Sequence, residues 1–268
     1  MSTVDGRTGQ FALRVSSLLD TLEFDRVETE EQREAVYRLR YDCYLAEAAI
    51  EPREQRRFTD RFDEQSNGFL FAIRHRERLI SSIRIHIATP EYPHTPSTTA
   101  FSDVLGALTG RGETFVDPTR FVVDRRVRAA TALMPYATLR LAAMAADHFD
   151  TDHIIATARL EHTPFYRRIF QLEPRTPPRD YLGLVKPLCL MSNDTETIRE
   201  KVYTRYPIFS SDPEERAALF GPSRSTDFLN RHAARANDND GRSFRRYPMP
   251  VGQAGQDRST AKFRLGDI

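Results

Sequence analysis

The stretch Phe115-Val116-Asp117-Pro118-Thr119-Arg120-Phe121-Val122-Val123-Asp124 decides how the rest of the sequence is read. Bulky apolar residues at both ends predict a buried strand, yet Pro118 has no N–H to give to a ladder and belongs at a sheet edge or a bulge. A bulged strand follows, with the extra residue at Pro118. In a regular strand Asp117 and Arg120, three positions apart, face opposite sides; one inserted residue restores their parity, so both look into the same space. Buried unpaired charges are costly, which leaves two readings: the two neutralise each other as a structural pair, or they stand ready for a polar substrate.

Working outward, residues 69–73 and 79–87 are apolar runs separated by the polar turn His75-Arg76-Glu77-Arg78, which predicts an antiparallel hairpin. The second run alternates, with Ile83, Ile85 and Ile87 on one face and Ser82, Arg84 and His86 on the other. Before it, residues 10–19 read as a short helix and residues 22–27 as a first strand. Thr29 and Gln32 form a capping-box pair opening a helix that carries Val36, Arg40, Tyr44 and Glu47 on one face. Arg40 is then either a guanidinium snorkelling past Val36 to the surface or an inward charge awaiting a carboxylate. Residues 48–65 are expected as a solvated loop ending in Asp60-Arg61-Phe62-Asp63, residues 90–98 as a loop, and residues 100–108 as a short helix stopped by Gly110 and Gly112.

After the central stretch, residues 125–134 form a basic connection, and Pro135 suits the first turn of a helix reaching Phe149. A strand at 153–158, a helix started by Thr163-Pro164 and running to Phe170, a strand at 181–191 and a helix at 192–206 complete the pattern. Beyond Pro207 the sequence turns polar; residues 213–220 and 226–234 suggest short docking helices, and the Asp-, Gly-, Arg- and Ser-rich sequence from Asn237 reads as a mobile tail. The expected organisation is one large domain over residues 9–208, a helical extension over 209–236 and a disordered tail over 237–268.

A chain of 268 residues with 40% apolar content can hold a sizeable core. Lys+Arg 39 against Asp+Glu 38 leaves a formal charge of +1, so no global field points to nucleic acid or an anionic membrane. No charged start leads into an apolar core, and no apolar run approaches the roughly 18 residues of a membrane span. The expected location is the cytoplasm. Cys43 and Cys189 make neither a disulfide framework nor a zinc site, and the seven histidines, among them His75, His86 and His162, fall in no ligand spacing, so no metal is expected.

The order strand, helix, hairpin, bulged strand, helix, strand, helix, strand resembles the GNAT acyltransferases. That resemblance implies a mixed α/β sheet splayed between its fourth and fifth strands, with helices on both faces. Tyr37-Arg38-Leu39-Arg40-Tyr41-Asp42-Cys43-Tyr44, Asp60-Arg61-Phe62-Asp63, Arg84, and Asp117-Pro118-Thr119-Arg120 with Phe121-Val122-Val123-Asp124 resemble the charged motifs of the autoinducer synthases, and more strongly those of the related long-chain N-acyl amino acid synthases. The similarity spans about residues 22–191. It implies that Arg40, Asp60, Asp63, Arg84, Asp117 and Arg120 form a charged network around an acceptor amine. The sequence departs from the autoinducer synthases at Phe58, where they carry an acid, at Asp117, where they usually carry Glu, and in having no Trp, the residue that helps them hold S-adenosylmethionine. These departures favour an N-acyl amino acid synthase over a lactone-forming one.

The expected reaction is direct transfer of a fatty acyl chain from a thioester to the amine of an amino acid or a related small amine, with no tightly bound cofactor and no covalent intermediate on Cys43 or a serine. Asp117 is the first candidate for general base and Asp60 the second, with Asp63 pairing Arg40 or Arg84. Backbone N–H groups freed by the bulge at Thr119 to Phe121 polarise the thioester carbonyl, and Arg120 takes the acceptor carboxylate. Tyr166 matches the GNAT tyrosine that protonates the leaving thiolate, or else simply packs. Residues 125–134 contain no glycine to cradle a pyrophosphate, so acyl carrier protein, docked by Arg125, Arg126 and Arg128, is favoured as donor over coenzyme A. Two other readings remain: an acyl-homoserine-lactone synthase using S-adenosylmethionine, and a non-catalytic protein that binds a lipid or the carrier.

Overall fold

The alternation of residues 82–87 sets the two faces of the sheet. The computed structural model describes residues 6–127, 132–181 and 183–222. In chain order its helices are α1 (Gly6–Leu19), α2 (Glu30–Ala46), α3 (Pro96–Ala100), α4 (Ser102–Gly110), α5 (Met134–Phe149), α6 (Thr163–Phe170), α7 (Thr195–Ile198) and α8 (Pro213–Phe220). Its strands are β1 (Leu22–Arg26), β2 (Gly68–His75), β3 (Arg78–Ala88), β4 (Phe115–Val123), β5 (His153–Ala158), β6 (Glu173–Pro174) and β7 (Cys189–Asp194).

The strands form one mixed sheet in the order β1-β2-β3-β4-β5-β7-β6, with β4 and β5 parallel and all other neighbours antiparallel. Ile83, Ile85 and Ile87 join Phe69, Phe71, Ile73 and Val116 under the apolar side of α5, which buries Leu139, Ala142, Ala143 and Met144. On the other face Val36 and Tyr37 of α2 cover Leu70 and Ala72, while Phe101 and Leu105 pack on Phe115, Ile155 and Leu190. The strip between these two clusters belongs to Ser82, Arg84 and His86, all buried. Burying charge there requires partners, and the loop before β2 supplies them.

The β2–β3 hairpin closes on Arg76-Glu77, both with positive φ (49° and 63°), so a two-residue turn forms without glycine. The capping box at Thr29 and Gln32 opens α2 as its sequence requires. The expected helix at 100–108 is two short ones that meet at Phe101, with Pro96 in the first turn of α3. The expected strand at 181–191 begins only at Cys189; Pro187 lacks an N–H and restrains Lys186 before it, leaving a single bridge from Arg179 to Leu188. The helix expected at 192–206 starts late, at Thr195, because residues 192–194 finish β7 against β5. The helix expected at 226–234 and the tail expected at 237–268 lie outside the described residues.

Among the described residues no helix is long and apolar enough to cross a membrane. Both cysteines are free.

Candidate active site

The bulge lies two residues beyond its expected place. Pro118 pairs in register with Ile85, whereas Ser82 opposes Val122 and Arg84 opposes Thr119, so Ile83 faces both Arg120 and Phe121. Arg120 takes φ 54°, a left-handed conformation that costs a non-glycine residue roughly 1–2 kcal/mol. One residue is still inserted, so Asp117, Thr119 and Arg120 all turn toward the α2 face.

Pairing between β4 and β5 consists of Phe115 with His153 and Val116 with Ile154. From Asp117 the strands part, which is where a residue without an N–H does least harm to the ladder. The gap is a cleft of about 480 Å³ walled by residues 118–123 of β4, by Thr157 and Ala158 of β5, and by Tyr44, Tyr166 and Tyr181. A small apolar recess opens from it toward α5, sharing Pro118, Phe121 and Tyr166 and lined further by Leu139, Ala142 and Phe170.

Five of the expected site residues meet in one ion network beside this cleft. Asp60 and Asp63 sit on a 3₁₀ turn (Arg61–Glu64) rather than in a solvated loop: Asp60 accepts the N–H of Phe62 at 2.9 Å, and Asp63 accepts the N–H of Asp60 at 3.0 Å. Arg84 reaches Asp60 through Nη1 at 2.7 Å and Nη2 at 3.2 Å, Asp63 at 2.9 Å, and the Thr119 hydroxyl at 3.2 Å. Arg40 donates to Asp63 at 2.8 Å, which settles its two readings in favour of the inward charge. Arg120 donates to Asp60 through Nε at 3.0 Å and Nη2 at 2.7 Å, with its guanidinium 4.6 Å from the centre of the Phe58 ring. Phe58, the departure from the autoinducer-synthase pattern, thus stacks on the bulge arginine.

Burial alone would raise the pKa of Asp60, but the guanidiniums of Arg84 and Arg120 outweigh it and hold the carboxyl well below the usual range. Asp63 is lowered in the same way, its burial outweighed by Arg40 and Arg84. His86 is pushed down to about 3 by burial and the charge of Arg84. Its Nε2 lies 3.0 Å from the Phe62 carbonyl and therefore carries the proton, as a carbonyl can only accept.

Asp117 stands apart from this network. Its oxygens accept the Ser97 hydroxyl at 2.7 Å and the Ser97 N–H at 3.0 Å, so the mutual pair with Arg120 does not form. Burial raises its pKa against the lowering effect of those hydrogen bonds. Of the expected donor-docking residues, Arg125 lies at the cleft mouth and donates to Glu47 at 3.1 Å, and Arg126 folds back onto Asp124 at 2.9 Å. Arg128 lies outside the described residues. Thr119, Phe121 and Tyr166 line the cleft, the last with its phenol raised to about 12 by burial.

Sequence reasoning missed Ser97, Tyr181 and Arg159. Arg159 donates to Glu47 at 2.6 Å, so Glu47 ties the ends of β4 and β5 together across the cleft mouth. Thr95-Pro96-Ser97 did carry a signal, since a capping residue followed by proline marks a helix start. Nothing local marks Tyr181.

Residues 35–194, more than half of the chain, match the family described as N-acyl amino acid synthase FeeM. The chain belongs to that family. It is an N-acyltransferase, and the sheet parted between β4 and β5 is the GNAT-like fold expected of one. The structure of FeeM, an N-acyl amino acid synthase from uncultured soil microbes, superposes with a TM-score of 0.55 at 16% identity, covering 69% of this chain and 96% of that one. The acyl-homoserine lactone synthase LasI gives 0.49 at 12% identity over 69% and 93% of the two chains. BjaI, a CoA-dependent acyl-homoserine lactone synthase, gives 0.46 at 19% over 71% and 92%. No curated protein matches the sequence.

Proposed function

We propose that the protein moves a long fatty acyl chain from acyl carrier protein to the α-amine of an amino acid, with the thioester held between β4 and β5. The observation that carries this reading is the parting of those strands after Val116, which leaves an unpaired backbone edge facing a cleft beside a buried arginine. In that seat the thioester carbonyl oxygen meets N–H groups of residues 119–121, fixed donors placed where charge develops in the transition state. The acyl chain lies along the apolar wall of the cleft, and the recess under α5, about 30 Å³, receives only its far end. The amine attacks the carbonyl carbon, the C–N bond forms as the C–S bond breaks, and the thiolate takes the proton of Tyr166. Arg120, whose charge Asp60 holds at the cleft wall, takes the acceptor carboxylate, and Asp117 receives the proton the amine releases.

Two features favour the carrier protein over coenzyme A. The connection after β4 has no glycine for a close phosphate cradle. The cleft mouth carries Arg125, Arg159 and Lys186 against Glu47 and Glu161, with Leu160 and Val185 exposed beside them, an apolar rim with a small basic excess suited to an acidic partner. Mass spectrometry of lipid extracts from cells overproducing the protein tests the reading. N-acyl amino acids that accumulate with the wild type and vanish with Arg120→Ala support it; extracts identical to those of control cells refute it.

A further inference from the structure

Asp117 poses a problem for any base mechanism: its side chain is fully buried, and it does not line the cleft in which the amine must sit. We propose that Tyr181 and Ser97 relay the acceptor's proton from the cleft to Asp117. This rests on the acyltransferase reading and adds two residues to it.

The three groups stand in a line. Tyr181 lines the cleft, its hydroxyl lies 3.4 Å from the Ser97 hydroxyl, and that hydroxyl lies 2.7 Å from Asp117 Oδ1. Ser97 and Asp117 are both completely inaccessible, so no bulk water competes for these bonds. The direction of the hydrogen bonds is fixed from the inner end. An ionised carboxylate only accepts, so the Ser97 O–H points at Asp117, its lone pairs face Tyr181, and the Tyr181 O–H points inward. The phenol oxygen is left with a lone pair toward the cleft. When the protonated amine loses its first proton to that oxygen, ahead of its attack, the Tyr181 proton passes to Ser97 and the Ser97 proton to Asp117; the second proton leaves the nitrogen after attack and replaces the one Tyr166 gives to the thiolate. One N–H bond is broken, three O–H bonds are formed and two are broken, and the chain ends with neutral Asp117. No free phenolate is needed, which matters because burial and the nearby Asp117 raise the Tyr181 pKa.

The surroundings suit a proton acceptor. Arg84 and His86 face Asp117 from β3, Ser97 from α3, and Tyr181 from the segment before β7; Arg120 faces Tyr181 from β4. Of these His86 is neutral, and the charge of Arg84 is shared with Asp60 and Asp63. A merely structural Asp117 would satisfy the first N–H groups of α3, and its bond to the Ser97 N–H does so. That role needs neither the Ser97 hydroxyl nor Tyr181.

Steady-state rates of Ser97→Ala and Tyr181→Phe, measured against pH with two acceptors, test the relay. One acceptor is an ordinary amino acid, protonated at neutral pH; the other is a weakly basic amine already neutral there that keeps a carboxylate for Arg120, such as the mono-hydrazide of a short dicarboxylic acid. Both variants are expected to lose about 100-fold in kcat with the amino acid at neutral pH, with its KM unchanged. The loss should shrink as pH rises and nearly vanish with the hydrazide. Tyr181→Phe removes no bond that Asp117 makes, so it still decides the matter if Ser97→Ala folds poorly. A loss of equal size with both acceptors at every pH, or no loss in Tyr181→Phe, overturns the relay while leaving the acyltransferase intact. A wild-type protein that acylates neither acceptor overturns both.

Discussion

Asp60 does three jobs with one carboxylate: it caps a 3₁₀ turn, binds Arg84 and binds Arg120. Removing its charge leaves two buried guanidiniums short of a partner, a loss worth about 3–5 kcal/mol in comparable pairs. Asp60→Asn is expected to lower stability by about that amount at neutral pH, read by urea denaturation. The sign with pH follows from its lowered folded pKa. The stability it contributes is complete above the unfolded carboxylate value of about 3.9 and is lost as pH falls through the folded value. Wild-type stability should therefore drop on acidification, and the Asp60→Asn profile should be flatter over the same range. Much at this scale was legible in the sequence: the inserted residue made Asp117 and Arg120 share a face, and Arg84 had to lie on the polar side of β3. Their partners were not legible, because Arg120 meets Asp60 across sixty positions of sequence, and only the fold brings them within 2.7 Å.

The elements around the cleft divide the work between rigid walls and a clasp. Ala142 of α5 lines the recess assigned to the acyl chain, and a larger side chain there shortens the space. Ala142→Leu is expected to shift the products toward shorter acyl chains while total turnover with short donors persists; mass spectrometry of mixed-donor reactions reads the shift, and an unchanged chain-length profile counts against the recess. At the mouth, Glu47 takes bonds from Arg125 after β4 and Arg159 after β5. Glu47→Gln weakens that clasp and frees both arginines, so the KM for the donor should fall, measured with acyl carrier protein at low and high salt. The strands that alternate cleanly or follow a tight turn were readable because periodicity is local. The segment before β7 was misread because Pro187 interrupts an apolar run in which side-chain pattern alone still suggests a strand, and with it Tyr181 went unassigned.

At the scale of the whole molecule, the chain after β7 returns to close the α5 side of the sheet. Phe220 of α8 packs on Phe69, Phe71 and Phe149, and Arg140 of α5 binds Glu215 through Nη1 and Nη2 at 2.5 and 2.7 Å. Phe220→Ala should cost about 3–5 kcal/mol, as large-to-small changes in cores do, with the acceptor KM unaffected because the cleft opens elsewhere. Thermal denaturation beside a kinetic assay separates the two. The sequence pattern marked residues 213–220 only as a short helix, since nothing local tells which face of the sheet a terminal helix will cover. The order of elements carried the architecture more directly. Its mixed sheet follows from a hairpin, then a bulged strand, then a helical crossover to a parallel neighbour, and the parting of β4 from β5 follows from Pro118 and the bulge behind it.

All of these roles require the acyl thioester to sit where β4 parts from β5. A crystal structure of the protein with a non-transferable thioether analogue of a long-chain acyl phosphopantetheine tests it most directly. The analogue's carbonyl oxygen is expected against the backbone N–H groups of residues 119–121, its alkyl chain directed toward Phe121 and Ala142, and its phosphate near Arg125 and Arg159. An analogue bound anywhere else, with β4 and β5 enclosing nothing, would contradict it.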